Sequence, residues 1–401
     1  TAFFAGDLTK NRRKSLGRNL ERHPWHWLQG GGPGMLAGMA TRVINFNPGP
    51  GALPLSTLAQ AQRELLDFEG TGMSILEHSH RAQPYMRVHE EAIALLRELL
   101  DVPSTHRILL LQGGSHLQFA MLPMSFRSET HAGDYVITGN WARKAYAEAA
   151  RVGRPAIAAD VERQDGRFVR IPSQAELRLS PEAPYVHVTS NNTIFGTQYR
   201  DFPETGAVPL VADMSSDLLS RRLDVGRFGL IYAAAQKNLG PAGVTVVIIA
   251  SDLLGRARTD IPEILQYGAH ARENSLYNTA PTFSIYMLRS VLQWSKERGG
   301  VAALEAESGA KAQLLYAAID ESAGFYASDV EPAARSHMNV VFRLPTPELD
   351  KRFVEQAAQA GMVGLKGHRI AGGIRASLYN PVSRESAAQL ADFMRAFRAS
   401  S

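Results

Sequence analysis

A chain of 401 residues, 45% hydrophobic and 20% charged, has the composition of a globular protein long enough for two domains. It contains no cysteine, which excludes disulfides, thiolate metal sites and cysteine nucleophiles. The net charge of +4 is local: residues 1–40 hold six basic side chains (Lys10, Arg12, Arg13, Lys14, Arg18, Arg22) against Asp7 and Glu21, which leaves 37 charges of each sign in residues 41–401.

In chain order, residues 1–40 lack the apolar core of a secretory signal and read as a basic, disordered extension outside the fold. Their Arg-rich, acid-poor character has a weak presequence flavour, while "MATRVINFNPGP" from Met39 reads as an ordinary protein start. No apolar run is long enough to span a membrane, so a cytoplasmic protein without a membrane partner is expected. The neutral body argues against nucleic acid as a partner.

The segment "LSTLAQAQRELLDFEG" has apolar residues at helical spacing with Gly70 as its stop, and "RVHEEAIALLRELLDV" is a second helix. Strand-like runs follow: "RILLLQGG", "DYVITGNW", "YVHVTSNN", "VPLVADMSS", "GLIYAAAQK" and "GVTVVIIA". Several are apolar throughout and end in Gly, Ser, Asn or Asp, as strands buried on both faces of a mostly parallel sheet do. Helix-length pieces such as "HLQFAMLPMSF" and "WARKAYAEAARVG" separate some of them, which predicts α/β wrapping with ligands at the carboxyl ends of the strands. After about residue 300 the pattern changes to a long helix, "GGVAALEAESGAKAQLLYAAIDES", then "MNVVFRL", "FVEQAAQAG", "GGIRASLYN" and "ESAAQLADFMRAF". The predicted organisation is a large domain over 41–300 and a smaller C-terminal α+β domain over 301–401.

The strand ends carry the chemistry. "LLLQGGSHLQF" is a strand, a Gly113-Gly114-Ser115 turn and a helix start, where free N–H groups and the helix dipole favour an anion. Equally, Gly-Gly before a helix is ordinary turn chemistry. "TGNWA" puts Trp141 just past a strand, as a core residue or a stacking plate. "TSNNTIFGT" offers Thr193, and "VADMSSD" ends a strand with Asp213, by itself more often a cap or turn residue. In "IYAAAQKNLGPAG" an apolar strand ends in Gln236 and Lys237, and a lysine there needs a chemical reason because burying an ammonium is costly. An anion cradle, an aromatic plate, a carboxylate and a strand-end lysine together are what pyridoxal 5'-phosphate requires. The cradle takes the phosphate, Trp141 stacks on the ring, Asp213 pairs with the ring nitrogen and Lys237 forms the Schiff base and shuttles the α-proton.

The ordered set "FNPGPGALP", "EHSHR", "GNWA", "TSNNTIFGTQ", "ADMSSD", "AQKNLGPAG", "YNTAPTF", "KGHR" and "GGIRASLYN" resembles the phosphoserine aminotransferase family, class V transaminases of fold-type I, from about Asn45 to Phe397. The resemblance implies a large domain with a mostly parallel seven-stranded sheet wrapped by helices. It also implies transamination of 3-phosphohydroxypyruvate with L-glutamate to O-phospho-L-serine and 2-oxoglutarate, and in many bacteria a phosphorylated hydroxythreonine for pyridoxine synthesis. By the same resemblance Lys237 is the Schiff-base lysine, Asp213 the partner of the ring nitrogen and Trp141 the stacking residue. Thr193 and Gln236 contact the ring oxygen or phosphate region, and Ser115 and His116 occupy the phosphate turn. Asn278 and Thr279 reach the cofactor phosphate of the other subunit of a homodimer with shared active sites. Arg375 binds the substrate α-carboxylate, and His80, Arg81, His368 and Arg369 receive the distal anion. No metal is implied. Some members carry Gly-Gly-Gly-Arg-Gly-Gln at the phosphate turn; here "GGSHLQ" places His116 where that arginine stands, which shifts distal-anion binding onto the other cationic residues. The alternative is another class V enzyme, of serine–pyruvate or alanine–glyoxylate type, whose substrates need no second cationic cluster. A cysteine desulfurase is excluded by the absence of cysteine.

Overall fold

Residues 42–401 are described in the computed structural model of the chain, and the expected N-terminal extension lies outside them. Seven strands form the central sheet: β1 (His106–Leu111), β2 (Asp134–Ile137), β3 (Ala156–Asp160), β4 (Val186–Thr189), β5 (Leu210–Asp213), β6 (Phe228–Ala234) and β7 (Thr245–Ala250). Their order is β1-β7-β6-β5-β4-β2-β3. β7 runs antiparallel to β1 and β6, and the remaining pairings are parallel. β2, β4 and β5 are buried along their whole length, as continuously apolar runs in a doubly covered sheet should be.

Alternate side chains feed two cores, one on each face. Ile108, Leu110, Val246 and Ile248 point into one, and Leu109, Leu111, Val247 and Ile249 into the other. Helix α1 (Leu55–Glu64) is followed by α2 (Gln83–Leu99), α3 (Gly114–Phe126), α4 (Asn140–Val152), α5 (Thr282–Glu297) and α6 (Gly300–Asp320). α2 packs on α5. α3 and α4 link β1 to β2 and β2 to β3, so their N-termini lie at the carboxyl ends of β1 and β2.

A third core gathers α6, α7 (Pro347–Gln359) and α8 (Arg384–Ala399) with the antiparallel pair β8 (Asn339–Phe342) and β9 (Ile374–Ser377). Phe46 and Ala52 belong to this core too, and Ile44–Asn45 pairs in parallel with Met362–Val363.

Two local expectations shift. α1 stops at Glu64, short of Gly70. Thr57 and Ala61 are its buried residues, and one turn further on Leu65 is 40% exposed, so the helix has run out of a surface to bury. β3, the seventh strand, was not among the runs read from periodicity. Its sequence AIAAD is rich in alanine, and as the edge strand it buries only Ala158 fully. Among the described residues, no helix is long and apolar enough to cross a membrane.

Phe353 is fully buried in the third core, with ring centroids of Phe393 and Phe397 each 5.1 Å away. Phe353→Ala should cost about 3–5 kcal/mol in urea unfolding, and Phe393→Ala, at a half-buried position, clearly less. Equal, small losses would show that the aromatic cluster relaxes to fill the space.

Candidate active site

The parallel register sets the site. Thr189 of β4 pairs with Asp213 of β5, and Asp213 with Tyr232 of β6, so β4 and β5 end level and β6 runs two residues further, to Ala234. Beyond them lies a cavity of about 280 Å³. Of the residues expected from sequence, Ser115, His116, Trp141, Thr193, Asp213, Gln236, Lys237, His368 and Arg375 all line it.

The floor begins at the turn before α3. Gly113 caps the helix at φ 86°, and a Cβ there would lie 2.5 Å from Leu117, so the turn requires glycine. No side chain caps α3, which leaves its first N–H groups free toward the cavity wall at Gly114 and Ser115. A Cβ at Gly114 would meet nothing within 4 Å, so the space in front of this turn is open. Ser115 Oγ lies 2.6 Å from Ser215 Oγ.

Asp213 is buried, and its Oδ1 accepts two hydrogen bonds from Ser215, from the amide at 3.0 Å and the hydroxyl at 2.6 Å. Among the described residues Oδ2 has no hydrogen-bond partner. Burial pushes the carboxyl pKa up, opposed by the Lys237 ammonium and by the two Ser215 donors. Lys237 is half-buried, and burial pulls its pKa down, opposed by the charges of Asp213 and Asp217 and reinforced by Arg375. A larger share of neutral amine near neutrality is the consequence.

Trp141 stands at the start of α4, its indole N–H donating to Thr193 Oγ1 at 3.2 Å. The His116 ring meets it edge-on at 5.6 Å, and Lys144 Nζ lies 4.7 Å from its ring centre. Arg375, 6% exposed, donates from one terminal nitrogen to the Thr193 carbonyl at 2.9 Å, while its Nε has no partner. It forms no ion pair among the described residues. A buried guanidinium without a counter-charge is an incomplete anion site. His368 is half-buried, its pKa lowered by burial and by Arg375, Arg369 and Lys144.

The other expected residues lie apart. Arg369 and Arg81 are exposed, His80 is half-buried, and none of the three lines the cavity of this chain. Asn278 and Thr279 also lie outside it. They hold Gln112, next to the phosphate turn: Gln112 Nε2 donates to the Thr279 carbonyl at 2.7 Å and Asn278 Nδ2 to Gln112 Oε1 at 3.4 Å. Nor do they cap α5, which starts behind Pro281 without a side-chain cap. Sequence reasoning missed Ser215 and Thr189; both line the cavity, and Thr189 Oγ1 is buried without a partner.

The sequence profile described as aminotransferase class V matches residues 43–390. The chain belongs to the class-V aminotransferase family. It is 52% identical over 360 residues to a phosphoserine aminotransferase of Lysinibacillus sphaericus, covering 90% of this chain and 99% of that one. Among solved structures it resembles the phosphoserine aminotransferase of Bacillus circulans subsp. alkalophilus, with TM-score 0.87, 49% identity and coverage of 90% and 99%. A pyridoxal-phosphate-bound phosphoserine aminotransferase from Trichomonas vaginalis gives TM-score 0.83 at 36% identity, covering 88% of this chain and all of that one.

The residues present fit pyridoxal phosphate, the cofactor of this family. The uncapped start of α3 and the open space at Gly114 suit a phosphate, the unpaired Oδ2 of Asp213 suits a protonated ring nitrogen, and the orphaned Thr189 hydroxyl lacks the partner a ligand would bring.

Gly139, which immediately precedes α4, leaves no room for a side chain, since a Cβ would lie against Asn192 Oδ1. Its φ of 174° is open to any residue, so the obstacle is space alone. Gly139→Ala should displace α4 and Trp141 and weaken pyridoxal phosphate binding about tenfold, read by indole quenching in a cofactor titration. Unchanged affinity would mean that Asn192 yields instead.

Proposed function

We propose that the chain interconverts 3-phosphohydroxypyruvate plus L-glutamate with O-phospho-L-serine plus 2-oxoglutarate, the transamination that makes phosphoserine for L-serine biosynthesis. The observation that carries this is a single cavity holding both a half-buried lysine beside a buried carboxylate and a buried guanidinium with no counter-charge. Substrates on both sides carry an α-carboxylate, which Arg375 binds in this proposal. 4-Phosphohydroxy-L-threonine has the same pattern of anions and is a second substrate in this proposal. Turnover of phosphoserine with 2-oxoglutarate, set against alanine with glyoxylate, tests it. Faster turnover of the second pair would make the chain an alanine–glyoxylate type of enzyme.

When bound, pyridoxal phosphate supplies an electrophilic carbon for an amine and a ring that takes up the electron pair left when the substrate α-proton departs. Lys237 is the amine that holds the cofactor and then moves that proton at the substrate α-carbon, its lowered pKa favouring the neutral, nucleophilic form. Asp213, kept in place by Ser215, holds the ring nitrogen protonated. Trp141 would stack on the ring, Thr193 and Gln236 would contact the ring oxygen or the phosphate region, and the start of α3 with Ser115 and His116 would receive the phosphate; all five side chains line the cavity. His368, with Arg369, His80 and Arg81, receives the distal anion.

The functional unit in this proposal is a homodimer in the cytoplasm. Support comes from Asn278, Thr279, His80 and Arg81, which lie outside the cavity of their own chain, and from Leu66, Met73 and Leu76, exposed by 84%, 41% and 55% in the stretch that precedes His80. Within each protomer, residues 41–300 serve in this proposal as the cofactor-holding domain and 301–401 as the smaller one, whose core also takes in Phe46 and Ala52.

Lys237→Ala should abolish transamination and the visible band of the bound cofactor. Asp213→Ala should keep the band and slow α-proton removal by about two orders of magnitude or more, with Asp213→Glu milder. A Lys237→Ala protein that keeps both band and turnover would move the attachment elsewhere, and equal, small effects at Asp213 would leave it a structural residue.

Mixing tests the shared site. Lys237→Ala chains and Asn278→Ala/Thr279→Ala chains, each inactive alone, should recover about a quarter of wild-type activity after subunit exchange. About half of the dimers are then mixed, and each mixed dimer holds one intact site. Confirmed exchange without recovered activity would show that these residues do not complete a neighbour's site.

A further inference from the structure

Lys311 sits in the middle of α6, where a solvent-facing lysine is the ordinary expectation, yet it is 1% exposed. Its ammonium donates to three backbone carbonyls, Leu378 at 2.9 Å, Tyr379 at 3.0 Å and Val382 at 2.9 Å. Three N–H donors meet three acceptors, so the group is saturated without a carboxylate. Burial pulls its pKa down to about 7, with Glu307 and Arg298 as the charged groups that act on it.

The clamped segment runs on from β9 toward the lysine turn. The Tyr379 hydroxyl donates to the Pro48 carbonyl at 2.6 Å. The Asn380 amide donates at 3.0 Å to Oδ1 of Asn238, the residue after Lys237. Asn238 in turn donates to the carbonyls of Ser216 and Leu218. On the other side, residues 48–51 lie between the Tyr379 ring and Lys237. A Cβ at Gly51 would stand 2.7 Å from Tyr379, and one at Gly49 would stand 3.4 Å from Lys237 Cγ. The Gly51 amide donates to the Gln236 carbonyl at 2.8 Å.

We propose that Lys311 is a positioning residue for the reactive amine: its ammonium clamps residues 378–382 so that Tyr379 and Asn380 hold the Lys237 turn from two sides. The proposal rests on Lys237 being the amine that holds the cofactor, which Lys237→Ala tests separately. Removing the ammonium frees three carbonyls and lets the turn drift, and small displacements at a reacting group cost about 10- to 100-fold in rate.

Full-length protein is compared as wild type, Lys311→Met, Tyr379→Phe and Phe353→Leu, the last loosening the same core away from the clamp. In Lys311→Met the amides of Gly51 and Asn380 should exchange hydrogen about tenfold faster while those of β7 stay unchanged. Its kcat with phosphoserine, per bound pyridoxal phosphate, should fall about 10- to 100-fold with KM within about threefold. Tyr379→Phe, which loses the bond to Pro48 and the longer one accepted from Asn339 Nδ2 at 3.5 Å, should speed exchange at Gly51 and lower kcat in the same sense. Lys311→Met indistinguishable from Phe353→Leu in both measurements overturns the proposal. If Lys311→Met does not fold, wild-type exchange and kcat in Tyr379→Phe overturn it alone. A wild-type protein without a Lys237-dependent cofactor band would sink the proposed function instead, and amide exchange would still report on the clamp.

Discussion

The hydroxyl of Ser215 joins the three elements from which the site is built. A hydroxyl has one proton to give and two lone pairs, and here all three are used. The proton goes to Asp213 Oδ1 at the end of β5, and the lone pairs take the Ala234 amide at the end of β6, 3.1 Å away, and the Ser115 hydroxyl at the start of α3. With Ser215 already donating to Asp213, the Ser115 proton must point to Ser215. One small side chain thereby sets the spacing between the carboxylate, the strand that leads to Lys237 and the uncapped helix end. Because Oδ1 is spent on Ser215, only Oδ2 remains for a ligand, which fixes the direction from which a ring nitrogen can approach. The burial that raises the carboxyl pKa is countered by these same donors and by the Lys237 ammonium.

How much of this was legible in the sequence depends on whether a residue's environment leaves a mark in its neighbours. Lys237 and Asp213 were legible because each interrupts or ends an apolar run, and a charge there asks for a reason. The central strands were legible since burial on both faces demands unbroken apolar residues. β3 was not, because an edge strand need satisfy only one face and AIAAD carries little β preference. Ser215 was hidden in "MSSD", where either serine could serve as a turn or cap. Thr189 ends a strand that reads the same whether its hydroxyl is paired or orphaned. Lys311 was the least legible of all: in "GAKAQLL" it looks like any lysine on a helix, and only the return of residues 378–382 past α6 reveals its burial.

The same long-range closure governs the reactive amine. Residues 44–52 are near the start of the described chain, yet Phe46 and Ala52 pack in the C-terminal core and Ile44–Asn45 pairs with Met362–Val363. Pro48 and Gly49 then cross to the cavity, where they line it beside Lys237. The lysine turn is therefore gripped by two segments, 48–51, flanked by Phe46 and Ala52 of the third core, and 378–382, which contributes Leu378 and Val382 to it. The sheet alone places Asp213 and Thr189, because parallel register leaves the ends of β4 and β5 no freedom. Lys237, three residues past the last residue of β6, has left the ladder and needs these outside supports. The carboxylate is thus placed by the sheet, whereas the amine is held jointly, through Asn238 by the carbonyls of Ser216 and Leu218 just past β5 and through Gly51 and Asn380 by segments that come from the third core.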